Sequence, residues 1–225
     1  MNSTLEDPRV SATLDRLHGR ARGDWKHFVA TTPRILWSVL KGQGLLRGIT
    51  PAHLKSAYIP VSREGGRFLY SATRAAGART VVEFGTSFGI STIYLAAAVR
   101  DNGGGTVFTC EVEPSKCQAA RENFKAAGVD DVVTLLEGDA LTTLEQVPAP
   151  VDFVFLDGWK HLYVPVLELL KARLRAGAVV LADNTNLPDL RPYVSKVNAA
   201  TEPFVTTRLF GRSMAYSVYT GVTAR

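Results

Sequence analysis

The 225-residue chain contains only two cysteines, Cys110 and Cys117, and no apolar run near the ~20 residues that a membrane-spanning helix requires. Two cysteines at this spacing match neither a disulfide framework nor a CxxC site, so we expect both to serve ordinary packing. The first ten residues, MNSTLEDPRV, lack the apolar core of a secretion signal. These absences favour a cytoplasmic protein without a membrane segment.

Several functional motifs are missing as well. The four histidines show neither HxH nor HExxH spacing, which argues against a zinc site, and neither GxSxG nor the phosphate-binding GxxxxGK[ST] occurs. Acids are scarce at the start, where residues 1–80 hold 13 Lys or Arg against 5 Asp or Glu. Because these positive charges are dispersed rather than packed into a block, nucleic-acid binding is the weaker interpretation of the basic region.

A strand, a glycine turn and a helix follow one another from residue 81. Gly85 permits a sharp turn, and Gly89 lets the backbone approach a ligand at the start of the helix. Glu111 closes the next strand 22 residues after Gly89, where an acid is placed to bind both hydroxyls of a ribose. Since the third glycine of GxGxxG is missing, the pattern favours a nucleoside without a pyrophosphate over NAD.

Two later apolar runs end in oxygen-bearing side chains. Asp157 follows residues 151–156 (VDFVFL), and the pair Asp183 and Asn184 follows residues 178–182 (AVVLA). Both runs are typical of buried parallel strands, and open α/β sheets bind ligands where such strands end. Two carboxylates and an amide suit Mg²⁺ or another hard cation. Taken singly, each aspartate is more often the N-cap of a following helix.

Hydrophobic periodicity predicts an α/β fold: a Rossmann-like, doubly wound and mostly parallel sheet with helices on both faces. The predicted strands are 81–85, 106–112, 132–137, 151–156 and 178–182. The predicted helices are 62–76, 90–100, 115–127, 141–146, 161–176 and 188–200, with one or two more in residues 8–41. Residues 204–210 and 214–219 are expected to close the sheet as an antiparallel hairpin.

Together these residues resemble the class I S-adenosylmethionine-dependent methyltransferases, and more narrowly the cation-dependent O-methyltransferases typified by catechol O-methyltransferase. The resemblance extends from about Val61 to Asn184. Its motifs are VEFGTSFGIST (82–92), TCEVEP (109–114), LEGDA (136–140), FLDGWK (155–160) and LADN (181–184). It implies a single domain over residues 1–225, in which residues 1–60 form an N-terminal helical cap and residues 61–225 a core with the sheet order 3-2-1-4-5.

The resemblance also implies roles for individual residues. S-adenosyl-L-methionine would be bound by Val61, Glu83, Gly85, Ser91, Glu111, Asp139, Ala140, Asp157 and Trp159. Mg²⁺ or another divalent cation would be held by Asp157, Asp183 and Asn184, and Lys160 would be the general base. A neighbouring cation lowers a lysine pKa toward the working pH, so that role is physically reasonable. In isolation, Lys160 would instead be interpreted as a solvated lysine and Trp159 as core.

The implied reaction transfers a methyl group to a hydroxyl of a small aromatic acceptor with vicinal oxygens. Two departures stand out. Gly158 replaces a larger residue of catechol O-methyltransferase, so the adenine edge is expected to be looser. Near its C-terminus, catechol O-methyltransferase also has an acidic residue that contacts a catechol hydroxyl. The equivalent position in this chain is near Leu209, where no acid is present. Residues 185–195 and the N-terminal helices are expected to shape the acceptor pocket.

Other interpretations remain open from the sequence. They are a methyltransferase for an amine or a nucleic acid, a non-catalytic cofactor-binding module, and an NAD oxidoreductase. By analogy with related enzymes, which are often dimers, the apolar N-terminal helices could supply the interface of a homodimer.

Overall fold

Seven strands form a single sheet in the structure, a computed structural model that describes residues 3–23 and 61–221. The strands are β1 Thr80–Phe84, β2 Thr106–Glu111, β3 Val133–Glu137, β4 Val151–Leu156, β5 Leu174–Ala182, β6 Phe204–Leu209 and β7 Met214–Tyr219. Their order across the sheet is β3-β2-β1-β4-β5-β7-β6. The first five are parallel, whereas β7 runs antiparallel to β5 and β6. The predicted fold class, sheet order and closing hairpin are confirmed.

Seven α-helices are present in the described ranges. They are α1 Pro8–Gly23, α2 Arg63–Ala75, α3 Ile90–Asp101, α4 Pro114–Ala127, α5 Ala140–Thr143, α6 Tyr163–Lys171 and α7 Arg191–Val197. Local signals explain several of their ends. Ser62 caps α2 by accepting a hydrogen bond from the Gly65 N–H, and Gly128 ends α4 in the left-handed conformation.

Alternate strand residues pack on opposite faces of the sheet. Val81 and Phe153 belong to an apolar cluster that α1, α2, α3 and α4 cover. Val82 and Val154 belong to a second cluster, which α5, α6 and α7 cover. Because both faces are buried, the central strands are apolar at nearly every position, which made them recognisable in the sequence.

The helix predicted over residues 161–176 is too long at both ends. Residues Lys160–Leu162 form a 3-10 turn, and the α-helix ends at Lys171. The chain then enters β5 at Leu174, which pairs with Val151 before the register shifts. Backbone pairing to β4 therefore overrides the helical periodicity of the segment before residue 178.

The helix predicted over residues 188–200 is also shorter than expected. Pro188–Leu190 form a 3-10 turn, and only Arg191–Val197 are α-helical. At the N-terminus, α1 confirms the first part of the helical stretch predicted over residues 8–41. Residues 24–60 lie outside the described residues, so the boundary between cap and core stays a prediction. Within the described residues, no helix has both the length and the apolar character needed to cross a bilayer.

The carboxyl ends of β1, β4 and β5 meet at one edge of the sheet. The turn between β6 and β7 lies at this edge too, because Ala215 of β7 pairs with Ala182 of β5. Among the described residues, the non-glycine positions with positive φ are Ser87, Asn184, Phe210 and Arg212. All four lie in turns at this edge. Strained conformations of this kind cluster at functional sites, which directs attention to the turns here.

Candidate functional site

The glycine turn after β1 is closely packed against the end of β4. Gly85 has φ 106°, and a Cβ atom on it would lie 2.8 Å from the Gly158 Cα. Gly89 has φ 83° and precedes α3, where a Cβ would lie 2.4 Å from the Phe124 ring. Both glycines are therefore required by backbone conformation and by space. No side chain caps α3, so the N–H groups of its first turn, which contains Ser91, face the turn and suit an anion.

Glu83 lies beneath this turn and is fully buried. Its Oε2 accepts hydrogen bonds from the Thr92 hydroxyl at 2.5 Å and the Thr109 hydroxyl at 2.6 Å. Because the Thr109 proton is used in this way, the 2.6 Å contact between Thr86 and Thr109 is a bond donated by Thr86. The Oε1 atom is buried without a hydrogen-bond partner among the described residues. The Oε2 atom of Glu83 thus supports the glycine turn, and the Oε1 atom is available to a ligand.

Burial raises the pKa of Glu83 from 4.5 to about 7, and hydroxyls of Ser91, Thr109 and Thr92 oppose the rise. The charge of Asp157 adds to the rise. A carboxyl with this pKa is protonated in a large fraction of molecules at neutral pH. A cationic group that approaches the carboxyl favours its ionised form, which accepts hydrogen bonds more strongly.

Glu111 ends β2 beside the glycine turn. Its Oε2 accepts a hydrogen bond from the Ser87 N–H at 2.9 Å. Its Oε1 accepts from the N–H groups of Val112 at 2.9 Å and Glu113 at 3.0 Å. Three backbone donors hold the carboxylate in one orientation; Oε1 uses both of its lone pairs, and Oε2 keeps one for a further donor. This arrangement is suited to a hydroxyl of a ribose.

Asp139 and Ala140 follow β3, on the far side of Glu111. Asp139 is the N-cap of α5, since its Oδ1 accepts from the Leu141 N–H at 2.8 Å, and Ala140 is buried. Val61 is likewise buried and lies two residues before α2. Asp139 and Ala140 thus lie just after a strand end at the carboxyl edge, and contact of all three residues with a cofactor stays a prediction.

Asp157 and Asp183 end neighbouring strands. The Asp157 N–H donates to the Phe84 carbonyl at 2.9 Å, and the Asp183 N–H donates to the Leu156 carbonyl at 3.0 Å. Neither side chain caps a helix. The 3-10 turn after Asp157 has Trp159 at its N-cap position, and the Oδ1 of Asp183 accepts from the N–H of Asn184 at 2.7 Å. The capping interpretation is therefore wrong for both aspartates.

The two carboxyls share a poorly hydrated site. Burial raises the pKa of Asp157 to about 6, the cation of Lys160 opposes this, and the charge of Asp183 adds to it. Burial also raises the pKa of Asp183. The side-chain amide of Asn184 makes no hydrogen bond within the described residues, so it is free to act as a ligand.

Lys160 is held inside this site rather than solvated. Its side chain is only 10% exposed, and its Nζ lies 3.2 Å from the Asp157 Oδ1. The same Nζ donates to the Tyr163 hydroxyl at 2.9 Å. Sequence reasoning assigned nothing to Tyr163. Its spacing of three residues from Lys160, which brings side chains together on a helical turn, was the available signal.

The space beside Gly158 is occupied. A Cβ at that position would lie 2.5 Å from the Phe84 ring, so the ring fills the room that a larger residue would need. The expected looseness of the adenine edge is therefore not seen at this point. Trp159 is half-buried and packs against the apolar cluster around Val82. It contributes to the core and remains partly exposed.

An aromatic group lies where the β6–β7 turn meets α2. Phe210 is 43% exposed and packs edge-on against Phe68, with ring centroids 5.2 Å apart. The turn is tied to the loop after Asn184, because the Thr185 N–H donates to the Ser213 carbonyl at 2.8 Å. The exposed Phe210 ring therefore lies on a turn that is hydrogen-bonded to the loop after Asp183 and Asn184.

Comparison with known proteins agrees with this geometry. Residues 82–185 match a family model described as a methyltransferase domain. The chain is 39% identical over 127 residues to a catechol O-methyltransferase of Mycobacterium tuberculosis, covering 56% of this chain and 57% of that protein. It is 32% identical over 130 residues to a catechol O-methyltransferase of Niastella koreensis, covering 56% and 58%. The chain thus spans just under three fifths of the length of these curated relatives.

Solved structures show the same likeness. An O-methyltransferase from Bacillus cereus in complex with SAH is 26% identical, with a TM-score of 0.66 over 75% of this chain and 86% of that one. The O-methyltransferase TomG from Streptomyces achromogenes in complex with SAM is also 26% identical, with a TM-score of 0.65 over 76% and 86%. The matched family segment begins in β1 and ends just after Asn184, so it contains both the glycine turn and the paired carboxyls.

Proposed function

We propose that this chain, a member of the class I S-adenosylmethionine-dependent O-methyltransferases, moves a methyl group from S-adenosylmethionine to a hydroxyl oxygen of a small-molecule acceptor. The observation that carries the proposal is the meeting of Lys160, Asp157 and Asp183 beside the glycine turn at one sheet edge. In the reaction the bond between sulfur and the methyl carbon breaks, a bond between that carbon and the acceptor oxygen forms, and the hydroxyl proton leaves to a base.

The residues around the glycine turn fit S-adenosylmethionine. The oriented carboxylate of Glu111 would accept a hydrogen bond from a ribose hydroxyl through the free lone pair of its Oε2. The unpartnered Oε1 of Glu83 would receive a donor from the ammonium group of the cofactor, which relieves a buried polar atom. The uncapped start of α3, with Ser91, suits the carboxylate of the methionine part. Asp139, Ala140 and Trp159 would border the adenine, and Val61 would contact the methionine part through its backbone.

The side chains of Asp157, Asp183 and Asn184 fit a hard divalent cation such as Mg²⁺. Within residues 3–23 and 61–221 no group of three or more His, Cys, Asp or Glu side chains is arranged for a metal, so the candidate set depends on two carboxylates and one amide. The charge of Asp183, which raises the pKa of Asp157, supports the fit, since a cation would favour the ionised carboxylates. When bound, such a cation lowers the pKa of a coordinated hydroxyl and orients it for attack.

Lys160 is the proposed general base. Its amine is anchored by Asp157 and Tyr163, and its burial keeps it at the sheet edge instead of in bulk water. A base must lie within hydrogen-bond reach of the proton that it removes, and an anchored amine meets this requirement better than a mobile one. The acceptor hydroxyl would approach from the open side of the two carboxyls and give its proton to the Nζ.

The acceptor is proposed to be aromatic, with vicinal oxygens. Phe210 and Phe68 offer a ring surface at the same edge, and edge-to-face or stacked contacts with an acceptor ring would add to apolar burial. The hairpin from residue 204 onward contains no acid, so Phe210 would position the ring by packing rather than by a carboxylate contact. A homodimer and a cytoplasmic location are part of the proposal, and sedimentation and cell fractionation would test them.

The decisive experiment combines SAM, MgCl₂ and a panel of catechol, caffeic acid and quercetin, with methylated products followed by mass spectrometry. Wild-type protein should form O-methyl products and SAH together, and EDTA should stop turnover until Mg²⁺ is restored in excess. Binding of SAM without methylation of any panel member would refute the reaction for this acceptor class. Methylation of added amines that EDTA leaves unaffected would instead favour the amine reaction.

The role of Lys160 is tested by Lys160→Met, which keeps the length of the side chain but cannot accept a proton. We expect kcat to fall roughly 10²–10⁴-fold, the usual contribution of a positioned base, with SAH affinity unchanged. Lys125→Met, at an exposed position on α4, is the matched control. A Lys160→Met protein with the kcat of this control would remove the lysine base from the mechanism.

A further inference from the structure

The Tyr163 hydroxyl connects the ends of β4 and β5. It accepts a hydrogen bond from the Lys160 Nζ at 2.9 Å and donates one to the Asp183 carbonyl at 3.3 Å. Lys160 also contacts Asp157, which directly follows β4, while Asp183 directly follows β5. The hydroxyl therefore joins the lysine to the backbone of the second strand end.

The direction of these two bonds is determined by the groups themselves. A lysine ammonium can only donate, and a backbone carbonyl can only accept. The hydroxyl has one proton and free lone pairs, so it accepts from Lys160 and gives its proton to Asp183. No other arrangement satisfies both neighbours.

The ring that carries this hydroxyl is immobilised. Tyr163 is fully buried. Phe84 lies against its ring at a centroid distance of 6.2 Å, and Tyr193 lies against it at 5.6 Å, both in edge-on geometry. Phe84 is also the last residue of β1, directly before the glycine turn. The hydroxyl is thus fixed relative to the three strand ends that form the proposed active site.

Lys160, in contrast, has a flexible four-carbon stem whose amine can adopt many positions. The contact to Asp157 at 3.2 Å is one restraint, and a single restraint leaves the amine able to swing about the carboxylate. The bond to Tyr163 is the second restraint, and the Nζ also lies 5.1 Å from the centre of the Tyr163 ring. The two restraints together define where the amine lies.

We infer that Tyr163 is a positioning residue, whose hydroxyl holds the Lys160 amine at the place where the acceptor proton is removed. The inference rests on the proposed function, because it assumes that Lys160 takes part in the reaction. Tyr163 itself need not touch the acceptor or the cofactor. It acts through the lysine, so its loss should affect the chemical step more than binding.

The test is Tyr163→Phe, with Tyr193→Phe as a matched control. Both tyrosines are fully buried and pack against each other, but the Tyr193 hydroxyl makes no hydrogen bond to Lys160 or Asp183. The two substitutions therefore remove the same atom from similar surroundings. We expect Tyr163→Phe to lower kcat roughly 10- to 100-fold at saturating caffeic acid, the scale of a misplaced catalytic group. Acceptor KM and SAH affinity should change less than about twofold, and Tyr193→Phe should match the wild type.

A double variant separates positioning from other roles. If Tyr163 acts only through Lys160, adding Tyr163→Phe to Lys160→Met should leave the residual kcat unchanged, because the single effects would not add. Additive effects, equal kcat in the two Tyr→Phe variants, or a loss confined to KM would each overturn the inference. Loss of SAH binding or of folding in Tyr163→Phe would assign the hydroxyl to stability and overturn it as well. A fully active Lys160→Met would refute the proposed base instead.

Discussion

Replacing Glu83 with Gln should change how the stability of the protein depends on pH. The carboxyl is fully buried, and burial raises its pKa from 4.5 to about 7 in the folded protein. The unfolded chain would release the proton near the ordinary value. Between these two pKa values the folded protein holds a proton that the unfolded chain has lost, so stability must fall as the pH rises.

The magnitude follows from the displacement of the pKa. Each pKa unit corresponds to roughly 1.4 kcal/mol, so a change from 4.5 to about 7 amounts to about 3 kcal/mol. This stabilisation is fully present below pH 4.5 and is lost as the pH rises through about 7. Glu83→Gln cannot ionise and should lack this component, while its amide keeps the size of the side chain and an oxygen for Thr92 and Thr109.

Urea unfolding of both proteins at several pH values between 5 and 8 measures the effect, with the free energy of unfolding extrapolated to zero urea. Asp157 also has a raised pKa, but it is common to both proteins, so its contribution largely cancels in the difference. The wild type should lose about 2–3 kcal/mol relative to Glu83→Gln across this range. Parallel pH profiles for the two proteins would refute the reasoning and show that Glu83 ionises normally.

Four further substitutions probe the proposed site. Glu111→Ala should weaken SAH binding in calorimetry by roughly 1.5–3 kcal/mol, the value of hydrogen bonds to a charged group, and unchanged affinity would remove Glu111 from the cofactor site. Asp157→Asn and Asp183→Asn should each abolish Mg²⁺-stimulated turnover and any thermal stabilisation by Mg²⁺, and a variant that keeps both would exclude its residue as a ligand. Phe210→Ala should raise the KM for caffeic acid roughly 3- to 10-fold, because a ring contact is lost. Val205 is exposed elsewhere on the same hairpin, so Val205→Ala should leave this KM unchanged. Equal KM values for the two variants would place the acceptor away from the turn.

The strands were readable from the sequence because their signals are local, whereas their order in the sheet was implied by the family resemblance. An apolar run such as residues 151–156 is recognisable wherever it occurs, and a glycine turn after a strand narrows the possible topologies. Element ends were less predictable. The start of β5 at Leu174 depends on pairing with Val151. The hydrophobic periodicity of residues 161–176 does not indicate this contact.

The candidate site was likewise predictable only in part. Residue types at strand ends, such as Asp157 and Asp183, were visible from their positions alone, because carboxyl ends of parallel strands share one edge. Whether these side chains cap helices or face each other was not visible. The answer depends on where the chain turns after each strand, and the structure shows a 3-10 turn with Trp159 at its N-cap position instead of a helix capped by Asp157.

By itself the sequence determined the α/β fold, the parallel direction of the first five strands and the group of residues that reaches the sheet edge, since each follows from patterns within a few dozen residues. Only the tertiary structure decided the environments of those residues. The bond from the Tyr163 hydroxyl to the Asp183 carbonyl, the Phe84 ring in the space beside Gly158 and the contact of Thr109 with the buried Glu83 all arise between segments far apart in the chain. Such environments depend on long-range packing, which decides solvent access and pKa, and no local pattern records it.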